Sequence, residues 1–148
     1  MTVLNIDDYI KPGRRAHLVG VGGVSMSPLA EVLHGAGMVI TGSDMHDSAT
    51  VEHLRSLGIH VTVGHRAENV AGAELVIRTA AVHDVNPEIA AAREAGLPCS
   101  QQEVRRILAG LDRAGLVRVS RGRGGTRLTP AGRALCRRQA VEGGAEMV

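Results

Sequence analysis

Apolar positions in the first hundred residues come in short continuous runs, separated by stretches with a helical period. AHLVGV (16–21), MVITGSD (38–44), IHVTVG (59–64) and ELVIRTA (74–80) read as strands. Unbroken apolar runs of this length fit strands covered on both faces. A first helix is expected from about Ser25 or Ser27, with Leu29, Val32 and Leu33 turned inward, ending at Gly35 or Gly37. A second spans 50–58 and closes on its glycine. A third spans 86–96, with Asn86 as cap and Pro87 in the first position, where a missing N–H costs nothing. LPC (97–99) is a candidate for a last short strand. This order predicts an α/β, Rossmann-like unit: a mainly parallel sheet with helices on both faces.

Beyond residue 99 the pattern changes. Ser100-Gln101-Gln102-Glu103 is a capping box, and Val104, Ile107, Leu108 and Leu111 form one apolar stripe with Arg105, Arg106 and Arg113 facing away. That helix ends at Gly115. LVRVS (116–120) alternates as a strand, RGRGG turns, TRL (126–128) returns, and Thr129-Pro130 opens a helix over 131–140. Residues 141–148 read as a frayed tail. Charge follows the same division. Residues 1–99 hold seven Lys or Arg against eleven Asp or Glu, a balance of −4, and residues 100–148 hold ten Arg against four acids, +6. The sequence therefore divides into an α/β segment (1–99) and a basic helix–hairpin–helix segment (100–148).

Composition narrows the function classes. Tyr9 is the one aromatic residue, so the core is aliphatic. Cys99 and Cys136 are too few for a disulfide framework or a metal cluster. No apolar run reaches the roughly 18 residues of a membrane span, and the first residues lack the order of a signal peptide, so a soluble cytoplasmic protein is expected. His46, His53 and His60 recur every seven residues, but that step crosses a loop, a helix and a strand and defines no face. They read as surface histidines, and no metal site is expected. Asp47 and Asp84 read as loop and cap residues.

Candidate chemistry lies in Gly20-Val21-Gly22-Gly23-Val24-Ser25, directly after the first strand. Ligands of parallel sheets bind at strand carboxyl ends. Glycines there let the backbone approach an anion, and the following helix N-terminus offers free N–H groups. The dinucleotide fingerprint G-x-G-x-x-G would need glycine at Ser25, although Asp44 lies about 20 residues on, where an acid grips a ribose hydroxyl. A nicotinamide-dependent oxidoreductase fragment therefore stays open as a minor reading, and tight helix–strand packing is the non-functional one.

HLVGVGGVSMSPLAEVL (17–33), TGSD (41–44), VGH with AENV (63–70) and TAAVHDVNPEIAAAREAGLP (79–98) together resemble the N-terminal, UDP-sugar-binding domain of the Mur ligase family, in its UDP-N-acetylmuramate–L-alanine ligase branch. The resemblance covers residues 15 to 98 or so. It implies UDP-N-acetylmuramate as the ligand, with Gly20, Val21, Gly22, Gly23, Val24, Ser25 and Met26 around the diphosphate. It also implies Asp44, Gly64, His65, Thr79, Ala80 and Ala81 along the nucleoside side. Two positions depart from the family: Ala80 lacks a serine hydroxyl, and Gln101 stands where an arginine is usual. In the family, ATP with Mg and the amino acid are handled by further domains. The sequence holds one lysine, Lys11, and no G-x-x-x-x-G-K-[ST] loop, so no cofactor and no turnover by this chain alone are expected.

SQQEVRRIL and LVRVSRGRGGTRLTPAGRAL resemble the recognition helix and wing of LysR-type and molybdate-responsive winged-helix regulators. This resemblance makes Arg105, Arg106, Arg118, Arg121, Arg123 and Arg127 candidates for nucleic-acid contact. It also opens an alternative function, a DNA-binding regulator with the α/β segment as sensor. The helices that should precede a recognition helix are missing, so weak, non-specific binding or a merely docked appendage is expected.

Overall fold

A computed structural model describes residues 11–78, 82–99, 101–119 and 126–137. Four strands, β1 (Arg15–Val19), β2 (Val39–Asp44), β3 (His60–Val63) and β4 (Leu75–Ile77), lie in the order β3-β2-β1-β4. All pairings are parallel, with Leu18 opposite Gly42 on one side and Ile77 on the other. The expected α/β fold is observed. Successive strands run outward from β1 to β3, and the chain then crosses back to β4 on the far side of β1. The strand order reverses between β1 and β4, where sheets of this kind open a crevice at their carboxyl ends.

The connecting helices are α1 (Met26–Gly35), α2 (Ala49–Ser56) and α3 (Pro87–Glu94), with a 3-10 turn at Ala67–Val70 between β3 and β4. Ser48 caps α2 by accepting from Val51 N at 3.2 Å. Asn86 caps α3 by accepting from Glu88 N at 2.9 Å, with Pro87 in the first turn as expected. Gly58, expected to close α2, follows it with φ +95°, a conformation glycine takes without a Cβ penalty.

Because strand side chains alternate, the sheet has two distinct faces. Ala16, Leu18, Ile40, Val61, Leu75 and Ile77 point to one side, where they pack with Leu29 and Leu33 of α1 and Val51 and Leu54 of α2. Val19 and Val76 point to the other, against Val70 of the 3-10 turn and Ile89 and Ala92 of α3. Residues 97–99 do not form the expected last strand, although Val76 N donates to Pro98 O at 3.0 Å.

α4 (Gln101–Arg113) carries its stripe into the larger core: Val104, Ile107 and Leu108 are buried with the α1 and α2 residues, and Leu111 packs against them. The step in charge near residue 100 is therefore not a step in packing. Charge reports the outward face of a helix, and the apolar stripe decides what it docks on. β5 (Val117–Val119) and β6 (Thr126–Leu128) form the expected antiparallel hairpin, and a helical stretch over 130–137, α5, follows. Thr129 Oγ1 accepts from Gly132 N at 3.1 Å at its start. α5 leans on α1, where the Cys136 thiol donates to Glu31 O at 3.3 Å and Gly35 leaves room for the Cys136 backbone. Cys99 and Cys136 are not joined in a disulfide. No described helix is long and apolar enough to cross a membrane. Thr79, Ala80, Ala81, Ser100, Arg121, Arg123 and the 141–148 tail lie outside the described residues.

Candidate functional site

The turn after β1 spends most of its backbone donors internally. Gly20 N and Val21 N both donate to Ser43 O, at 2.9 and 3.0 Å, and Gly23 N donates to Gly20 O at 3.1 Å. Gly20 has φ +78°, so the chain can reverse there only without a side chain. Gly22 N donates to Asp44 Oδ2 at 2.9 Å, and a Cβ on Gly22 would stand 2.9 Å from that same oxygen. Ser27 N is taken by Gly23 O. Val24 N, Ser25 N and Met26 N remain without a partner among the described residues. Ser25 is the N-cap position of α1 but makes no side-chain cap, and the first turn of α1 carries no acid. The result is an uncompensated helix N-terminus at the carboxyl edge, which suits an anion. Of the seven residues expected around a diphosphate, these three present unengaged donors.

Asp44, expected on the nucleoside side, lies against the glycine turn, its other oxygen accepting from His46 N at 3.2 Å. Gly64 follows β3 with φ +100° and donates to Asp44 O at 2.8 Å. The Asp44 side chain therefore fastens the glycine turn to β2, and its backbone fastens β2 to the turn after β3.

A buried polar cluster that sequence reasoning missed joins this edge to α3. Glu88, in the first turn of α3, is 0% exposed. Its Oε1 accepts from His17 Nε2 of β1 and from Ser43 Oγ of β2, the latter at 2.7 Å. Its Oε2 accepts from His65 Nδ1 at 2.6 Å and from Ser43 Oγ at 2.9 Å. His17 Nδ1 lies 2.8 Å from Thr41 Oγ1. Burial pushes the Glu88 carboxyl up, but the hydrogen bonds from His17, Ser43 and His65 outweigh it and hold the group below the ordinary carboxylate value. No nucleophilic triad results, because Ser43 is fully buried and gives its proton to Glu88. The available signal was His17, a lone histidine inside an apolar strand. Glu88 gave none, since an acid after Asn86-Pro87 reads as an ordinary first-turn residue.

On the same side of the sheet, Arg78 follows β4, almost wholly buried. It donates to Asp84 Oδ1 at 2.6 Å and to Val82 O, and Arg93 reaches Asp84 at 3.1 Å. The Arg78 hydrogen bond, with both guanidinium charges, holds Asp84 below its ordinary value. Asp84 thus ties the loop before α3, a stronger role than the cap expected of it.

His46, His53 and His60 are exposed and stay apart; His53 pairs with Glu31 and His60 lies beside Thr62. In the basic segment, Arg105 and Arg106 are exposed on α4, and Arg118 and Arg127 face each other across the hairpin. Thr126, at the start of β6, is 3.4 Å from Ser25 Oγ, so the hairpin meets the rim of the glycine turn.

Residues 15–113 match the family described as "Mur ligase family, catalytic domain". The chain is 52% identical over 98 residues to the UDP-N-acetylmuramate–L-alanine ligase of Legionella pneumophila (strain Corby), covering 64% of this chain and 21% of that protein. It is 54% identical over 82 residues to the ligase of the same name from Rhizobium etli, covering 55% of this chain and 17% of that one. The crystal structure of the UDP-N-acetylmuramate-alanine ligase of Thermotoga maritima aligns with a TM-score of 0.62 at 36% identity, over 67% of this chain and 23% of that one. A murein peptide ligase from Psychrobacter arcticus shares the fold, with a TM-score of 0.60 at 23% identity, over 66% of this chain and 20% of that one. The chain thus spans about a fifth of the length of these relatives. The match runs through Arg113 and so takes in α4, whose stripe completes the core, while nothing in these comparisons supports the winged-helix resemblance. On the strength of the sheet order, the glycine turn and the extent of this match, the chain belongs to the Mur ligase family.

Proposed function

We propose that this chain binds UDP-N-acetylmuramate at the carboxyl edge of its sheet, with the diphosphate on Val24 N, Ser25 N and Met26 N. The observation that carries the reading is the open N-terminus of α1: three unengaged backbone donors, no side-chain cap and no first-turn acid, at the switch point between β1 and β4. The relatives are named for ligating alanine to UDP-N-acetylmuramate, which supports the choice of ligand. Binding by this chain occurs without turnover, since the sequence encodes no lysine-bearing loop for ATP phosphates.

Ser25→Asp separates binding from folding. An aspartate at the cap position meets the positive end of the α1 dipole, which favours the folded helix by about 0.3–1 kcal/mol. It also places a negative charge where the diphosphate would sit. Isothermal titration is expected to show UDP-N-acetylmuramate binding to the parent chain and none to a folded Ser25→Asp variant. Unchanged affinity would overturn the reading, and tighter binding of NAD than of UDP would favour the oxidoreductase alternative.

A second, weaker reading concerns polyanions. Arg118 and Arg127 are cross-strand neighbours, and Arg105 and Arg106 stand exposed on α4. Such a surface would bind duplex nucleic acid through phosphates, weakly, with little sequence preference and a steep loss with salt.

A further inference from the structure

We infer that Glu88 is a positioning residue: it fixes His65 in the tautomer protonated at Nδ1, so that Nε2 is presented at the carboxyl edge as a hydrogen-bond acceptor for a ligand N–H or O–H. The inference rests on the nucleotide-binding reading above. A uridine nucleotide offers donors of that kind, its imide N–H and its ribose hydroxyls.

Proton counting fixes the role of each group around Glu88. An ionised carboxylate only accepts, so each of the three groups that touch Glu88 must donate. His17 donates from Nε2, which leaves its Nδ1 to accept from the Thr41 hydroxyl at 2.8 Å, and that ring is satisfied. Ser43 has one hydroxyl hydrogen, shared between the two carboxylate oxygens at 2.7 and 2.9 Å. Having given that hydrogen away, Ser43 Oγ offers only lone pairs to His65, whose Nδ1 lies 3.1 Å from it and 2.6 Å from Glu88 Oε2. His65 Nδ1 therefore faces two acceptors and must carry the proton. The hydrogen bond at one ring nitrogen sets the role of the other, so Nε2 of the neutral ring is left with a lone pair.

Nε2 has no partner among the described residues and is not among the buried unpartnered atoms, so it remains open at the edge. The His65 side chain is 13% exposed, so the ring is largely enclosed. The ring is held from behind and cannot turn away without breaking its bond to Glu88. The same edge carries the glycine turn, tied to the His65 loop through Asp44, which accepts from Gly22 N with its side chain and from Gly64 N with its backbone.

The test uses the full chain at pH 7.5, with nitrogen-15 NMR of the histidine rings beside titration with UDP and UDP-N-acetylmuramate. In the parent chain His65 is expected to show protonated Nδ1 and bare Nε2. Glu88→Gln offers one acceptor oxygen and a donating NH2 in place of two acceptors. His65 is then expected to move its proton to Nε2, with affinity for UDP falling about tenfold, the scale of one lost hydrogen bond in a buried setting. His65→Phe should cost the same, and Glu88→Gln in that background should cost nothing more. Three results would overturn the inference: protonated Nε2 in the parent His65; unchanged UDP affinity in folded Glu88→Gln; or an undiminished Glu88→Gln effect once His65 is gone, which would mark Glu88 as structural only. Should Glu88→Gln fail to fold, the parent tautomer decides by itself. A parent chain that binds no UDP ligand would sink the binding proposal and the ligand half of this one, while the tautomer result stands apart.

Discussion

Each strand sends alternate side chains to opposite faces of the sheet, and the two faces are built from different chemistry. Toward α1, α2 and α4 the contacts are aliphatic from Ala16 to Ile77, with no charged group in the cluster. Toward α3 the aliphatic cluster is small, centred on Val19, Val76 and Ile89, and beside it sits a fully buried carboxylate with its three donors. The first face gains free energy without direction, so it tolerates exchange of one aliphatic for another of similar volume. The second is directional. It fixes which atoms meet, and it costs far more when one partner is removed than when a methyl group is lost. His65 belongs to the directional face, where its orientation is set by bonds.

Removing the centre of the polar face should give the largest effect. Glu88→Leu strands three buried donors and is expected to cost about 3–5 kcal/mol, measured by urea denaturation. Leu18→Ala, on the dry face, is expected to cost about 2–5 kcal/mol. The two are told apart by pH. The folded-state value of Glu88 is lowered, so its ionised form contributes stability that is fully present above the ordinary carboxylate value and is lost as pH falls through it toward the folded value. The gap between the parent and Glu88→Leu should therefore shrink below about pH 4, whereas the gap to Leu18→Ala should stay level. Parallel pH profiles would remove the distinction between the faces.

A smaller loss is expected from overfilling the dry face. A Cβ on Gly42 would stand 2.7 Å from Val21 Cγ1 and 2.8 Å from its Cβ, and Val21 is fully buried. Gly42→Ala should cost about 1–3 kcal/mol, with part of the shift appearing in the glycine turn to which Val21 belongs. The smallest effect tests how the polar face is aimed. Asn86→Ala removes the cap that holds Glu88 N, and about 1 kcal/mol of stability should go with it in thermal unfolding. UDP affinity should fall as well, because the first turn of α3 carries the carboxylate that holds His65.

Much of this architecture was readable from local pattern. The strand runs, the glycine turn, the Asn86-Pro87 start and the Gly58 stop are each decided by neighbours a few residues away, and each appears where expected. Two readings failed for one reason. Residues 97–99 carry strand-like composition but are not a strand, although Pro98 O accepts from Val76 N, since strand status depends on a continuous ladder with a partner edge. The helix Gln101–Arg113 groups with the basic tail by its arginines, yet its docking is decided by Val104, Ile107 and Leu108.

The sequence by itself determined the order of elements, the parallel sheet and the turn at Gly20–Met26, because period, caps and glycines act within one turn or one strand. Only the tertiary structure decided that Glu88 would lie under His17 and Ser43, 71 and 45 residues away, and beside His65. That meeting depends on strand order and register: β1 and β2 must be neighbours with their carboxyl ends level, and α3 must cross beneath them. A carboxylate has no sequence mark for the donors that will surround it; the sheet supplies them once it is assembled.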